Sequence, residues 1–327
     1  MSATASVLIH ASQFPENVRR DLLASLRSRR VNHKFHYDSV KQTQKWLALH
    51  EAHSPARRDE NCLTTYDAAF IATVKQLKAG KVHVIGLGCG GGQKDTQLLS
   101  LLKAHGREIF YTPCDVSPAM VLVARQAALN VLPEKNCFPF VCDLATADDL
   151  PSVLDSRRPP LAARLVTFFG MIPNFGPQDI LPKLAALVRP QDGLLFSANL
   201  GPGKNYAAGV KTVLPQYDNK LTRDWLLTFL TDLGVARGDG ELLFKIKDDV
   251  ANGLKRITAD FQFARLCRIH LASEAFHFRA GETLQLFFSY RYTPERVRKM
   301  LARHGLEVRE EWIAESGEEG VFLCRRK

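Results

Sequence analysis

The stretch from Lys81 to Leu200 alternates between short apolar runs and segments with helical spacing. The runs have the length of strands and are apolar almost throughout, which is typical of strands buried on both faces. Helical spacing covers 93–105, 119–132 and 177–188. Strands that alternate with helices predict a doubly wound α/β domain with a parallel sheet over residues 60–200. The five runs are KVHVIGLG, EIFYTPCDV, FPFVCDL, RLVTFFG and GLLFSANL.

Both flanks of this region have a different pattern. Before it, amphipathic spacing predicts helices over 15–30 and 39–50, the first opened by Pro15. After Leu200 the alternation stops and a mixed α+β region follows. We expect a loop over 201–209, helices around 221–233 and 248–254, and strands within 265–273 and 282–292.

The C-terminal segment returns to the sheet domain. Thr293 and Pro294 predict the start of a helix that ends at Gly305, and LEVREEWIAE and GVFLCRRK predict a terminal hairpin. The expected organisation is therefore a sheet domain of 60–200 and 290–327 and a smaller domain of 1–59 and 201–289. An insertion at the carboxyl ends of parallel strands is a favourable place for a substrate pocket.

Composition narrows the class of protein. The 327 residues are 46% hydrophobic and 24% charged, as in ordinary globular proteins, which excludes disorder and coiled coil. No apolar run reaches the roughly 20 residues of a membrane span, and no basic segment marks a signal peptide. The seven cysteines include no C-x-x-C pair, so we expect reduced thiols in a cytoplasmic protein without a metal site.

The positive charge leaves two interpretations open. Lysine and arginine outnumber aspartate and glutamate by 44 to 34, a net charge of +10, which raises the hypothesis of nucleic-acid binding. The basic run 18–34 contains no aromatic residue on which bases could stack. The basic runs are either solvated helix faces or an anion-binding surface, and nucleic acid is the less favoured partner.

A glycine loop provides the clearest candidate chemistry. The sequence IGLGCGGG, which includes Gly88 and Gly90, lies between a predicted strand and a predicted helix, where a nucleotide can approach the backbone. Asp115 ends the second strand and is placed to accept hydrogen bonds from ribose hydroxyls. Asp143 ends the third strand, where it and Leu144 could contact adenine. Acidic residues after both strands, a terminal hairpin and no Walker lysine favour S-adenosylmethionine (SAM) over NAD or ATP.

Five motifs, in this order, resemble the ergothioneine-pathway histidine Nα-methyltransferases, from about Tyr37 to the C-terminus. The resemblance implies a class I SAM-methyltransferase domain with a Rossmann-like α/β sheet and a terminal antiparallel hairpin, plus a smaller α+β substrate domain. It implies a small-molecule amine or amino acid as substrate. The motifs are GLGCGGGQKDTQLL, YTPCDVSPAM, FFGMIPNFGPQD, LPQYDN and GETLQLFFSYRY.

The resemblance also assigns cofactor residues. Tyr37 corresponds to a tyrosine that closes over SAM, and Lys94 to the lysine that follows the glycine loop. One departure stands out: the acidic residue that often precedes the first glycine pair is Gly86 here, so we expect a weaker contact to the methionine end of SAM. The full cofactor set implied is Tyr37, Gly88, Gly90, Lys94, Asp115, Asp143, Leu144 and Gly170.

The substrate residues agree with the family only in part. Asn174 and Tyr217 match the residues that hold the amino and carboxylate end, and they are the expected catalytic pair. Ser289 matches a serine of the side-chain pocket. Phe287, however, stands where the family has the glutamate that binds imidazole, and Ile269 where it has a methionine. Because an imidazole without its acceptor costs roughly 1–3 kcal/mol, we expect a substrate other than histidine, with an apolar or aromatic side chain.

Three functions remain open at this point. The first is N-methylation of the α-amino group of an amino acid or related amine. The second is methylation of a nucleic acid, although the loop Ile172-Pro-Asn-Phe-Gly lacks the motif expected for a flipped adenine. The third is a protein that uses SAM without methylating: an enzyme of aminobutyrate-arm transfer or cyclisation, or a SAM-binding regulator.

Overall fold

The computed structural model describes residues 4–54, 59–157, 159 and 161–327. They form two compact units. The first contains 4–13, 59–200 and 292–327, and the second contains 14–54 and 201–291. The sequence pattern grouped residues 1–59 together, whereas the structure groups the first part of that segment with the sheet. The reason is local: Leu8 and Ile9 pair in parallel with Phe140 and Val141.

The elements are numbered here in chain order. The helices are α1 (Pro15–Arg27), α2 (Val40–His53), α3 (Glu60–Gln76), α4 (Gln93–Ala104), α5 (Pro118–Ala128), α6 (Leu150–Ser156), α7 (Pro177–Leu187), α8 (Tyr206–Val213), α9 (Lys220–Asp232) and α10 (Pro294–Arg303). The strands are β1 (Leu8–Ile9), β2 (Lys81–Leu87), β3 (Glu108–Asp115), β4 (Phe140–Val141), β5 (Ala163–Phe168), β6 (Gly193–Asn199), β7 (Gly240–Asp249), β8 (Leu254–Phe263), β9 (Cys267–Leu271), β10 (Glu274–Phe278), β11 (Thr283–Arg291), β12 (Leu306–Ile313) and β13 (Glu319–Arg326).

The first unit contains a sheet with the strand order β1-β4-β3-β2-β5-β6-β13-β12. Strands β1 to β6 are parallel to their neighbours in this order, and the hairpin β12–β13 adds to β6 in antiparallel orientation. The predicted α/β sheet with a terminal antiparallel hairpin is confirmed. Because the parallel strands all point the same way, the glycine loop after β2 and the acidic residues after β3 and β4 lie at one edge of the sheet.

Helix α3 was missing from the sequence prediction. It packs Tyr66, Phe70 and Val74 into the core of the first unit, together with Val84 and Leu165 of the sheet. Its buried face also contains Cys62, Thr65 and Thr73, and threonine and cysteine at core positions weaken the apolar periodicity that reveals a helix.

The second unit combines the antiparallel sheet β11-β8-β7 and the hairpin β9–β10 with helices α1, α2, α8 and α9. The predicted helix at 248–254 is wrong, because this segment is the turn between β7 and β8. Gly253 has φ of +62°, and Asn252 donates to the Asp249 side chain (2.8 Å). The predicted loop at 201–209 is also wrong in its second half: α8 begins at Tyr206, capped by the Asn205 side chain, which accepts from the Ala208 N–H.

Three further properties concern the described chain as a whole. All seven cysteines are free thiols, and five of them are buried. Across the described ranges, no helix has the length and hydropathy to cross a membrane. The same ranges contain no group of histidine, cysteine or acidic side chains arranged to hold a metal ion.

Candidate cofactor and substrate sites

The glycine loop leaves β2 in a backbone conformation that requires glycine. Gly88, Gly90 and Gly92 have φ of +63°, +51° and +73°, the left-handed region in which a Cβ is strained. At Gly88 a Cβ would also lie 2.6 Å from the Met171 side chain. The loop therefore presents bare backbone at the start of α4, where free N–H groups favour a polar ligand.

Asp115 is joined to this loop at the end of β3. Its Oδ2 accepts from the Gly90 N–H (3.1 Å) and its Oδ1 from the Ser117 N–H (3.0 Å). Burial raises the pKa of the Asp115 carboxyl, while these backbone donors favour its ionised form. A carboxylate has about four acceptor positions, so acceptor capacity remains for a hydroxyl of a ribose.

Asp143 and Leu144 follow the neighbouring strand β4 and are buried. The Asp143 N–H donates to Ser12 Oγ (3.0 Å), and its Oδ1 accepts from the Ala145 N–H (2.9 Å). The N-terminal segment that carries β1 thus fixes the backbone at the predicted adenine contact. Sequence reasoning missed Ser12, since nothing local relates it to residue 143.

Lys94 lies in the first turn of α4, where its ammonium group donates to the Tyr66 hydroxyl (2.6 Å). That hydroxyl in turn donates to Glu319 of β13. Burial lowers the pKa of Lys94 and the charge of Glu319 opposes this effect. Tyr66 and Glu319 lie 28 and 225 residues away from Lys94 in the sequence, which explains why no motif pointed to them.

The loop after β5 contains the two remaining predicted residues of the first unit. The Gly170 N–H donates to Ser197 Oγ of β6 (2.9 Å), and Gly170 has φ of +68°. Asn174 ends a short 3-10 turn, Ile172–Asn174, and is half-buried, with its N–H bonded to the Met171 carbonyl (3.0 Å). Because Met171 also covers Gly88, this loop packs directly on the glycine loop.

In the second unit, one face of β11 brings together three predicted substrate residues. A bulge between Gln285 and Phe287 sets the register, so that Phe287, Ser289 and Arg291 alternate with Phe288 and Tyr290. Tyr217 lies on the first of these two faces. Its hydroxyl is 2.9 Å from Ser289 Oγ, and its ring centroid is 6.2 Å from that of Phe287.

Arg291 belongs to the same group, although no sequence motif contains it as a site residue. It is 4% exposed, its Nη2 donates to the Tyr217 hydroxyl (2.7 Å), and its guanidinium carbon lies 5.3 Å from the Tyr217 ring. The sequence indicated only that Arg291 lies on the same face of the strand as Phe287 and Ser289, because side chains along a strand alternate between its two faces. A buried cation beside two hydroxyls is suited to binding a carboxylate.

Aromatic rings extend this face. Trp225 of α9 contacts both Phe287 (5.8 Å between centroids) and Tyr37 (5.5 Å), so Tyr37 joins the cluster through a tryptophan. His33 packs on Phe287 (5.2 Å), and burial lowers its pKa well below the usual value, which keeps the imidazole neutral. Ile269 lies instead on the hairpin strand β9, fully buried in the hydrophobic core of this unit.

Comparison with known proteins assigns the chain to a family. Residues 18–326 match the sequence model of the histidine-specific, SAM-dependent methyltransferases. The chain belongs to this family. A histidine N-alpha-methyltransferase from Mycolicibacterium smegmatis is 26% identical over 345 aligned positions, which cover 100% of both chains. The predicted family, enzyme class and cofactor are thereby confirmed: the protein is a SAM-dependent methyltransferase.

Two solved methyltransferase structures are similar to this chain at low sequence identity. SAM-bound CalS10, an amino pentose methyltransferase from Micromonospora echinaspora, is 16% identical, with 85% of this chain and 97% of that chain covered and a TM-score of 0.39. The 1,6-didemethyltoxoflavin-N1-methyltransferase of Burkholderia thailandensis is 10% identical, with 87% of each chain covered and a TM-score of 0.40.

Proposed function

We propose that this methyltransferase acts on the α-amino group of an amino acid or related amine with an apolar or aromatic side chain, and that histidine is a poor substrate. The observation that carries the proposal is the position of Phe287. Its ring packs beside Tyr217 on the face that also holds Ser289. The family resemblance implies an imidazole-binding glutamate at this position.

The polar end of this group supports a substrate with a carboxylate. Tyr217 and Ser289 offer hydroxyls, and the buried Arg291 adds a fixed positive charge next to them. Guanidinium–carboxylate hydrogen bonds are among the stronger ones in proteins, because both partners are charged. A simple amine would leave this charge without a counterpart on the substrate, so an amino-acid head group is favoured.

The apolar end supports the side-chain preference. Phe287 is surrounded by the rings of Trp225, Tyr217 and His33, none of which carries a negative charge. A buried imidazole loses its hydrogen bonds to water and needs an acceptor in return, which a phenyl ring cannot provide. An aromatic side chain has no such need, and its burial contributes roughly 1.5–3 kcal/mol.

The residues of this chain serve to bind and orient, since methyl transfer needs no covalent intermediate with the protein. SAM, when bound, supplies a methyl group activated by the positive sulfur. The amine must lose its proton before it attacks, and Asn174 is the candidate to orient it through the side-chain oxygen. Alignment of two reactants is worth up to about 7–11 kcal/mol. If methylation proceeds to a quaternary ammonium, each aromatic wall adds about 0.5–2 kcal/mol by cation–π attraction.

The test compares kcat/KM for tryptophan-like and histidine-like amines in the wild-type enzyme and in Phe287→Glu, with products identified by mass spectrometry. We expect the wild-type enzyme to prefer the aromatic amines. In Phe287→Glu the preference shifts toward histidine, by about tenfold or more if a charge-assisted hydrogen bond is gained. A panel of amino acids then defines the natural side chain and the number of methyl groups transferred.

The matched control is Phe288→Glu, which puts the same carboxylate on the opposite face of β11, near Arg30 and Arg256. Its preference between the two amines should equal that of the wild type. Efficient trimethylation of histidine by the wild-type enzyme would overturn the proposed specificity. If the ratio in Phe287→Glu does not move toward histidine, residue 287 does not line the side-chain pocket.

A further inference from the structure

Asp95 occupies the space that belongs to a side chain at position 86. It is the residue after Lys94 in α4 and is 3% exposed. A Cβ at Gly86 would lie only 2.1 Å from its Oδ2. The motif often has an acidic side chain at position 86, where this chain has glycine. The space beside Gly86 is instead filled by the Asp95 carboxylate of the neighbouring helix α4.

Two hydroxyl groups hold this carboxylate in place from the strands on either side of β2. The Tyr111 hydroxyl of β3 donates to Oδ2 and the Thr167 hydroxyl of β5 to Oδ1, each at 2.7 Å. Burial raises the pKa of the Asp95 carboxyl, and both hydroxyls oppose the shift by favouring the ionised form. Such an arrangement fixes the carboxylate but leaves about two of its four acceptor positions open.

Within the described residues Asp95 forms no ion pair. The charge of the adjacent Lys94 favours its ionised form, but the Lys94 ammonium group is bonded to Tyr66. The carboxylate nevertheless lies against Gly86, at the start of the glycine loop. Burial, together with the charges of Asp115 and Asp95, raises the pKa of the Cys89 thiol in that loop. A buried carboxylate next to a ligand-binding loop is stabilised when the ligand brings a positive charge.

We propose that Asp95 binds the ammonium group of the methionine arm of SAM. It thereby replaces the acidic residue that often stands at the position of Gly86. This inference rests on the glycine loop being the cofactor site. The other acidic candidates, Asp115 and Asp143, follow β3 and β4, where ribose and adenine are expected. Gly86 and Asp95 then form one compensating pair, in which Asp95 supplies the acidic contact at the methionine end.

The first experiment measures binding by calorimetry for S-adenosylhomocysteine, which has the ammonium group, and for its deamino analogue, which lacks it. Wild-type protein should bind the deamino analogue about tenfold more weakly or worse, as expected for a lost charge-assisted hydrogen bond. In Asp95→Asn the affinity for S-adenosylhomocysteine should fall to about that of the analogue, whose own affinity stays within about twofold of its wild-type value. Asp192→Asn is the matched control: Asp192 is also buried, but in the turn that begins β6, and should leave both affinities unchanged.

The second experiment moves the carboxylate back to the strand. Gly86→Glu alone should bind poorly, because the new side chain collides with Asp95. Adding Asp95→Ala should restore the difference in affinity between S-adenosylhomocysteine and its deamino analogue. This double variant also tests the proposal if Asp95→Asn does not fold. Equal loss of both ligands in a folded Asp95→Asn protein would reduce Asp95 to a structural role. If wild-type protein binds neither ligand, the cofactor site itself is misplaced, an outcome distinct from failure of the pair.

Discussion

At the residue scale, Asp115 holds the glycine loop through the Gly90 N–H and the start of α5 through the Ser117 N–H. We propose that its remaining acceptor capacity binds the ribose of the cofactor. Asp115→Ala should weaken binding of SAM and S-adenosylhomocysteine by at least about tenfold, because charge-assisted contacts to the ligand are lost. Calorimetry with both ligands provides the measurement. Unchanged affinity in a folded variant would remove Asp115 from the cofactor site.

The same scale shows what a sequence can and cannot reveal about a site. The placement of Gly88, Gly90 and Asp115 at one edge of the sheet was predictable, because a tight turn needs glycine and because parallel strands end at one edge. The bond between Arg291 and Tyr217 joins residues 74 positions apart, and a strand pattern shows only that Arg291 shares a face with Phe287. Asp95 stood inside the glycine motif, yet its function depends on Gly86 lacking a side chain, which only the packing makes visible.

At the element scale, the success of the sequence prediction followed the hydrophobic pattern. The buried parallel strands β2, β3 and β5 are mostly apolar and were found with nearly correct bounds. Strand β7 was missed because nine of its ten residues are at least partly exposed and five are charged, and its turn into β8 was mistaken for a helix. Strand β1 has two residues, too few to carry a periodic signal.

Three elements of the first unit meet at Lys94, where α4, α3 and β13 contribute Lys94, Tyr66 and Glu319. Burial lowers the pKa of Lys94, and the charges of Glu319, Cys62 and Asp95 are the groups that raise it. Burial raises the pKa of Tyr66 well above its usual value, and that of Cys62 to about 12, so neither competes near neutral pH. Glu319 thus favours the protonated form of Lys94.

Loss of the Glu319 carboxylate should make cofactor binding more sensitive to alkaline pH. If protonated Lys94 contacts the cofactor carboxylate, affinity for S-adenosylhomocysteine falls as the pH rises through the pKa of Lys94. Glu319→Gln lowers this pKa further, so the fall should begin at lower pH than in the wild type. Titrations between about pH 6.5 and 9 measure it, with the exposed Glu315→Gln as control. Superimposable profiles for all three proteins would show that Glu319 does not act through Lys94.

At the scale of the whole molecule, the net charge of +10 needs an explanation that agrees with a small-molecule substrate. Basic side chains on helices α1 and α10 have acidic neighbours. In α1, Arg27 pairs with Glu274 (2.5 Å), and in α10, Arg298 and Lys299 pair with Glu311 and Glu295 (2.6 Å each). These pairs are largely exposed and add little stability, but they reduce the positive potential available to a polyanion.

We therefore expect nucleic acid to bind only by weak, non-specific attraction. Fluorescence anisotropy with a labelled DNA duplex and a single-stranded RNA should give dissociation constants of about 10⁻⁶ M or weaker at low salt, and binding should vanish near about 0.15 M salt. The reason is that acidic partners reduce the number of phosphates that these basic side chains can contact, so fewer counterions are released from the nucleic acid. In addition, the basic run 18–34 contains no aromatic residue on which bases could stack. A double variant that reverses charge at the exposed Arg19 and Arg303 should abolish the residual signal without changing affinity for S-adenosylhomocysteine. Tight binding that persists at physiological salt, or methyl transfer to either nucleic acid, would instead make the basic surface part of the function.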